Sequence, residues 1–147
     1  MSGYFEIGIY HGKSLDNIGT LWRSAYQLGA AGIFTIGARF PCHASDTVKS
    51  WRHIPWRRYA SWGEFACALP YKASIVGVEM GGTLLHDFRH PKRALYVLGA
   101  EDHGLPGDIM AHCHAIVSLS AIRTASYNVA VAGSVVMYDR CYNTSKR

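Results

Sequence analysis

The sequence predicts an α/β fold built on a mostly parallel sheet. Short apolar runs of strand length recur along the chain, and helical patterns lie between them. At 147 residues the chain is long enough for one well-formed core, so residues 1–147 are read as a single domain.

The first strand is "YFEIGIY". The first helix is "DNIGTLWRSAYQLGA", where Ile18, Leu21, Trp22, Ala25 and Leu28 make one apolar stripe. Asp16 offers an N-cap for that helix and Gly29 a stop. "AGIFTIG" and "ASIVGVEM" are the next strands, the latter followed by a Gly-Gly turn. "ALYVLG" is another apolar run of strand length, "PGDIMAHC" a short helix behind Pro106, and "AIVSL" a final strand. Residues 126–140, "SYNVAVAGSVVMYDR", form the last helix. Residues 41–72 read as irregular, basic and aromatic.

Composition limits the classes available. Apolar residues are 49% and charged residues 17% of the chain, which excludes a disordered protein. No apolar run approaches the ~20 residues of a membrane span. "MSGYFEIGIYHGKS" shows no secretory signal pattern, since Glu6 interrupts the place of an apolar core. Cys42, Cys67, Cys113 and Cys141 are scattered without a C-x-x-C pair, so they are expected as free thiols of a cytoplasmic protein. The net charge of +5 permits an anionic partner such as nucleic acid without requiring one.

Four features are candidates for chemistry, and each also has a plain structural reading. "VLGAEDHGLPGD" places Gly99, Glu101, Gly104 and Gly107 after a strand, where glycines let the backbone approach a ligand. An ordinary glycine turn with a surface glutamate would look the same. Asn17, Gly19 and Arg23 share the first helix, with Arg23 off the apolar stripe, either reaching a partner or merely solvated. Ser126 and Asn128 open the last helix as site residues or as N-caps. "SWRHIPWRRYASW" mixes Arg52, Arg57 and Arg58 with Trp51, Trp56, Tyr59 and Trp62. That mixture suits phosphate contact and base stacking, or equally a loop whose tryptophans pack on the core. His103, His112 and His114 lack a second pair at ligand spacing, so no metal site is assigned.

Taken in order, Asn17-x-Gly19-x-x-x-Arg23, Gly99-x-Glu101-x-x-Gly104-Leu105 and Ser126-x-Asn128 resemble the SpoU/TrmH family of RNA ribose 2'-O-methyltransferases, in the SPOUT class. The resemblance implies a SPOUT-type α/β fold whose C-terminal part is tied in a deep trefoil knot. It implies S-adenosylmethionine as cofactor, RNA as substrate and a homodimer. The small size resembles tRNA-modifying members that lack appended RNA-binding segments; rRNA is the second candidate substrate. Two competing readings stay open: a catalytically silent member of the fold, and an unrelated metal-binding α/β protein.

By the same resemblance, Arg23 acts on the 2'-hydroxyl, as base or as positioning group. Asn17 and Asn128 orient groups around it, and Glu101 holds Arg23 or its neighbouring backbone. Val78, Gly99 and Ser118, with Ser126 and Asn128, hold the cofactor. Arg52, Arg57 and Arg58 touch RNA phosphates. Two places depart from the family pattern: Ser118-Leu119-Ser120 stands for Ile-Pro-Met, and Tyr127 stands for leucine.

Overall fold

A computed structural model describes residues 3–40 and 53–143. Six parallel strands form one sheet in the order β3-β2-β1-β5-β4-β6. They are β1 (Tyr4–Tyr10), β2 (Gly32–Ile36), β3 (Trp56–Tyr59), β4 (Ser74–Leu84), β5 (Arg93–Leu98) and β6 (Ala115–Ser118). The helices are α1 (Leu15–Gln27), α2 (Trp62–Cys67), α3 (Gly107–Ala111) and α4 (Val129–Tyr142).

Strands β1, β2 and β5 are the apolar centre, and the core splits into two clusters. One contains Ile7, Ile9, Leu98, Ile18, Leu21, Val136 and Met137 and is covered by α1 and α4. The other contains Phe34, Phe65, Leu95, Val97 and Ile109. Burial on both faces is what a continuous apolar strand requires, so the central strands show no period-two polar pattern.

Helix α1 buries the expected stripe of Ile18, Leu21, Trp22 and Ala25. Its N-cap is Ser14 rather than the expected Asp16: the Ser14 hydroxyl accepts the Asn17 amide at 3.3 Å, and Asp16 falls in the first turn. At the other end Ala30 N–H donates to Ala25 O and Gly29 N–H to Tyr26 O, with Gly29 at φ 84°. That closing pattern needs a left-handed residue, which glycine supplies without strain.

Helix α4 starts later than the sequence predicts. Ser126 and Tyr127 precede it, and Asn128 is the N-cap, its side-chain oxygen accepting the Val131 amide at 3.2 Å. Gly133 faces the core, where an added Cβ would lie 2.6 Å from Leu21 Cδ1. Ser134 donates to the Ser24 hydroxyl of α1 at 2.9 Å. At the far end buried Arg140 donates to the carbonyls of Pro91 and Lys92, at 2.6 and 2.9 Å. His90 bridges Tyr96 and Asp139, at 2.6 and 2.8 Å, so both ends of α4 are fixed to distant segments. Burial pushes the Tyr96 phenol up to about 12, although Arg140 opposes it.

Two further expectations change. The segment expected to be irregular contains β3 and α2. In β3, Trp56 and Tyr59 are half-buried while Arg57 and Arg58 are exposed, so this edge strand lacks an apolar run. In α2, Ser61 accepts the Glu64 amide at 3.2 Å, and Phe65 fills the core. The Gly-Gly after "ASIVGVEM" does not reverse the chain. Gly81, at φ 88°, lies inside β4, where the pairing with β6 jumps register between Val78 and Thr83. That is a bulge, which re-aims side chains at a strand's end.

Gly8 is held to glycine by packing. A Cβ there would fall inside contact distance of the Phe34 ring and of its carbonyl on the paired strand. Gly8→Ala is expected to lower stability by about 1–3 kcal/mol or more, read from the midpoint of urea unfolding.

Candidate active site

The carboxyl ends of β4 and β5 meet the start of α4 around a cavity of ≈ 300 Å³. Its wall includes Val78, Glu79, Leu98, Gly99, Ala100, Glu101, Asp102, Leu119, Ser126, Tyr127 and Val129. Crevices at this end of a parallel sheet are the usual ligand sites of open α/β folds.

The loop after β5 closes on itself. Gly104 N–H donates to Ala100 O at 2.9 Å. A Cβ at Gly99 would collide with the backbone of Gly104 and Leu105, and one at Gly104 would collide with Glu79. Gly104 is also left-handed, at φ 64°. Gly99 is therefore required by backbone approach and Gly104 by its left-handed conformation, and their result is to present Glu101 from a tight turn.

Glu101 accepts the Asn17 side-chain amide at 2.7 Å and the Lys13 backbone amide at 3.3 Å. Asn17 in turn accepts the Asn128 side-chain amide at 3.1 Å. These bonds form one chain, Glu101–Asn17–Asn128, in which every amide orientation is set. Burial of Glu101 would raise its carboxyl, but the Asn17 amide and the backbone donors outweigh it and hold the group below its ordinary range. It is ionised at neutral pH.

The residues expected from the sequence divide as follows. Val78, Gly99, Glu101 and Ser126 line the cavity. Asn17 and Asn128 join Glu101 in the hydrogen-bond chain. Arg23 is exposed on α1, less than two turns along from Asn17. Ser118 is buried at the end of β6, behind the wall residue Leu119. Arg57 and Arg58 sit on edge strand β3, away from the cavity wall. Arg57 pairs with buried Glu6, and Arg58 lies 4.1 Å from the Trp56 ring centre. Arg52 lies outside the described residues. His114 accepts the Ile75 amide at 2.9 Å, and His112 is 2.7 Å from the Asp108 carbonyl.

Two participants, Glu79 and Asp102, were not anticipated, and the contact made by Tyr127 is new. Glu79, at the β4 bulge, accepts the Leu105 amide at 2.8 Å and the Met80 amide at 2.8 Å, fixing the glycine loop from below. A glutamate ending an apolar strand before two glycines was the available signal. Asp102 is gripped by Arg39, with contacts at 2.7 and 3.1 Å. Arg39 holds the Asp102 carboxyl well below its usual range. Tyr127 donates to the Ser120 carbonyl at 2.5 Å and so closes residues 120–127 into a ring. Both ends of that ring lie where the sequence departs from the family pattern.

Comparison with known proteins decides the family. The SpoU rRNA methylase family profile matches residues 5–138. The chain belongs to that family of RNA methylases. A structure described for the 2-OH methylation of C/U34 on tRNA has 23% identity and a TM-score of 0.86, with 99% of both chains covered. The SpoU methyltransferase AviRb from Streptomyces viridochromogenes, in complex with AdoMet, is 26% identical with a TM-score of 0.79. An AdoMet-bound rRNA methyltransferase from Sinorhizobium meliloti is 22% identical with a TM-score of 0.84. The present SpoU-family chain is covered to 97% and 98% by these two but spans only 58% of each of theirs. No curated protein sequence gives a significant match.

Tyr127 gives this SpoU member a direct test. Residues 119–128 carry no helix or strand, and Arg123 within them is exposed. Tyr127→Phe is expected to speed tryptic cleavage at Arg123 several-fold with little change in Tm, because only the loop's closing bond is lost.

Proposed function

We propose that this protein transfers a methyl group from S-adenosylmethionine to a ribose 2'-hydroxyl of tRNA, with rRNA the second candidate. The hydrogen-bond chain Glu101–Asn17–Asn128 beside a glycine-walled cavity carries the reading. The tRNA preference rests on the C/U34 structure, which matches end to end; the Sinorhizobium meliloti rRNA methyltransferase keeps rRNA open.

The cavity suits the cofactor. Its volume is at the lower end of the roughly 300–1,000 Å³ of cofactor sites. The Gly99–Gly104 turn, with Val78, Leu119 and Ser126, lines the cavity. When bound, the cofactor supplies a methyl already activated by a sulfonium. The protein then has to align the acceptor and manage its proton.

Arg23 is proposed to hold the acceptor's phosphate and 2'-hydroxyl. A guanidinium pKa above ~12 leaves little neutral base at pH 7, so positioning is the role its chemistry favours. Asn17 and Asn128 fix the geometry at the site's edge, and Glu101 fixes Asn17. Arg52, Arg57 and Arg58 are proposed as RNA contacts, Arg57 only with the charge left after its pairing with Glu6.

We also infer a knotted C-terminal segment and a homodimer. Family membership supports both. The dimer has separate support in Val131, Val135, Tyr138 and Tyr142, an exposed apolar stripe on α4 beside a groove of ≈ 650 Å³. No helix among the described residues is long and apolar enough to cross a membrane.

Two measurements test these readings. Arg23→Ala is expected to cut transfer of labelled methyl from S-adenosylmethionine into tRNA at least 100-fold while keeping cofactor affinity. Label confined to rRNA would move the substrate; no label in either would remove the activity. Val135→Glu is expected to shift the protein to monomer in sedimentation, since it puts a charge in the centre of the apolar stripe.

A further inference from the structure

At the rim of the cavity one carboxylate is surrounded by three basic side chains. Asp102 Oδ1 lies 2.7 Å from one terminal nitrogen of Arg39, and Oδ2 lies 3.1 Å from the other. Lys13 Nζ is 3.9 Å from Oδ2, and His103 Nε2 is 3.4 Å from the same oxygen. Asp102 itself is a wall residue, next in sequence to Glu101. Two cations, Arg39 and Lys13, thus face Asp102, and they remain open to solvent: the Lys13 side chain is 54% exposed and the Arg39 side chain 36%.

The arrangement is poorly explained as a structural clip. Exposed ion pairs contribute little to stability, because water and salt screen them. The backbone beneath is already fixed without it. Arg39 N–H donates to Gly12 O at 2.9 Å, Arg39 Nε to His11 O at 2.8 Å, and Lys13 N–H to Glu101 at 3.3 Å. The guanidinium is therefore held in place by its Nε, with its outer edge turned towards Asp102. That edge matches two oxygens of a carboxylate or of a phosphate equally well.

We propose that Arg39 and Lys13 form a binding site for a phosphodiester of the substrate RNA, and that Asp102 occupies the phosphate's place in the free protein. The inference rests on the RNA-methylating function proposed above. The site lies one residue from Glu101 on the loop side and carries the Lys13 amide that Glu101 accepts. A phosphate seated there would register the RNA strand against the hydrogen-bond chain. Asp102 keeps the guanidinium oriented until RNA arrives, and the exposed position of the pair lets a phosphate compete for the same two nitrogens.

The test separates a phosphate site from a clip by the sign of one substitution. The affinity of this 147-residue protein for unfractionated tRNA, and separately for rRNA, is measured across a KCl series. Arg39→Ala and Lys13→Ala are each expected to weaken binding about ten-fold at low salt and to reduce the salt slope by about one. Asp102→Asn is expected to leave binding unchanged or tighten it, since it removes a competitor. If Asp102→Asn weakens RNA binding as Arg39→Ala does, or if Arg39→Ala leaves affinity and slope unchanged, the proposal is overturned. Failure of the wild type to bind either RNA would overturn the functional reading together with this one. Wild-type binding with unresponsive variants would overturn the site alone.

Discussion

The site depends on a single chain of side-chain hydrogen bonds. Glu101 comes from the loop after a central strand, Asn17 from the first helix and Asn128 from the cap of the last. Each has a second obligation that fixes its place. Glu101 takes the Lys13 amide, Asn17 sits in the capped first turn of α1, and Asn128 caps α4. An amide has one donor end and one acceptor end, so the direction of the chain follows from the ionised carboxylate at its head. A Glu101 that lost its charge would leave no fixed sense for the two amides behind it.

Glycine and bulge geometry deliver that carboxylate. Gly99 allows a backbone contact with Gly104 and Leu105 that any side chain would block, Gly104 takes a left-handed conformation, and Glu79 ties down the far side of the loop. Glu79 can do so because the β4 bulge breaks the pairing with β6 just beyond Val78. Irregularity in the sheet and regularity in the site are thus connected.

Much of this was legible in the sequence. The apolar runs gave β1, β2, β5 and β6, since buried strands need little else, and the stripe on α1 gave its buried face. Asn17, Glu101 and Asn128, which join in one hydrogen-bond chain, stood out as a set because their types and order matched a family, while each alone resembled a cap or a turn. Strand β3 was hidden because an edge strand with two exposed arginines has no apolar run. Helix α2 was hidden by its brevity, although Ser61 and Glu64 carried a capping signature. Gly81-Gly82 looked like a turn because local sequence cannot distinguish a reversal from a bulge stabilised by a neighbouring strand. The Tyr127–Ser120 bond and the Arg39–Asp102 pair depend on tertiary proximity, which no local pattern encodes.

The dual duty of Asn128 has a consequence for biosynthesis. Its partner Asn17 is 111 residues away, and Asn17 pairs with Glu101 across 84 residues. Contacts of such separation form late, after the loops between them have closed. On the ribosome, Asn17 and Glu101 emerge well before the helix that Asn128 caps. A growing chain therefore lacks both the α4 share of its core and the last link of this hydrogen-bond chain until the final helix is made. Docking of α4 completes the two together.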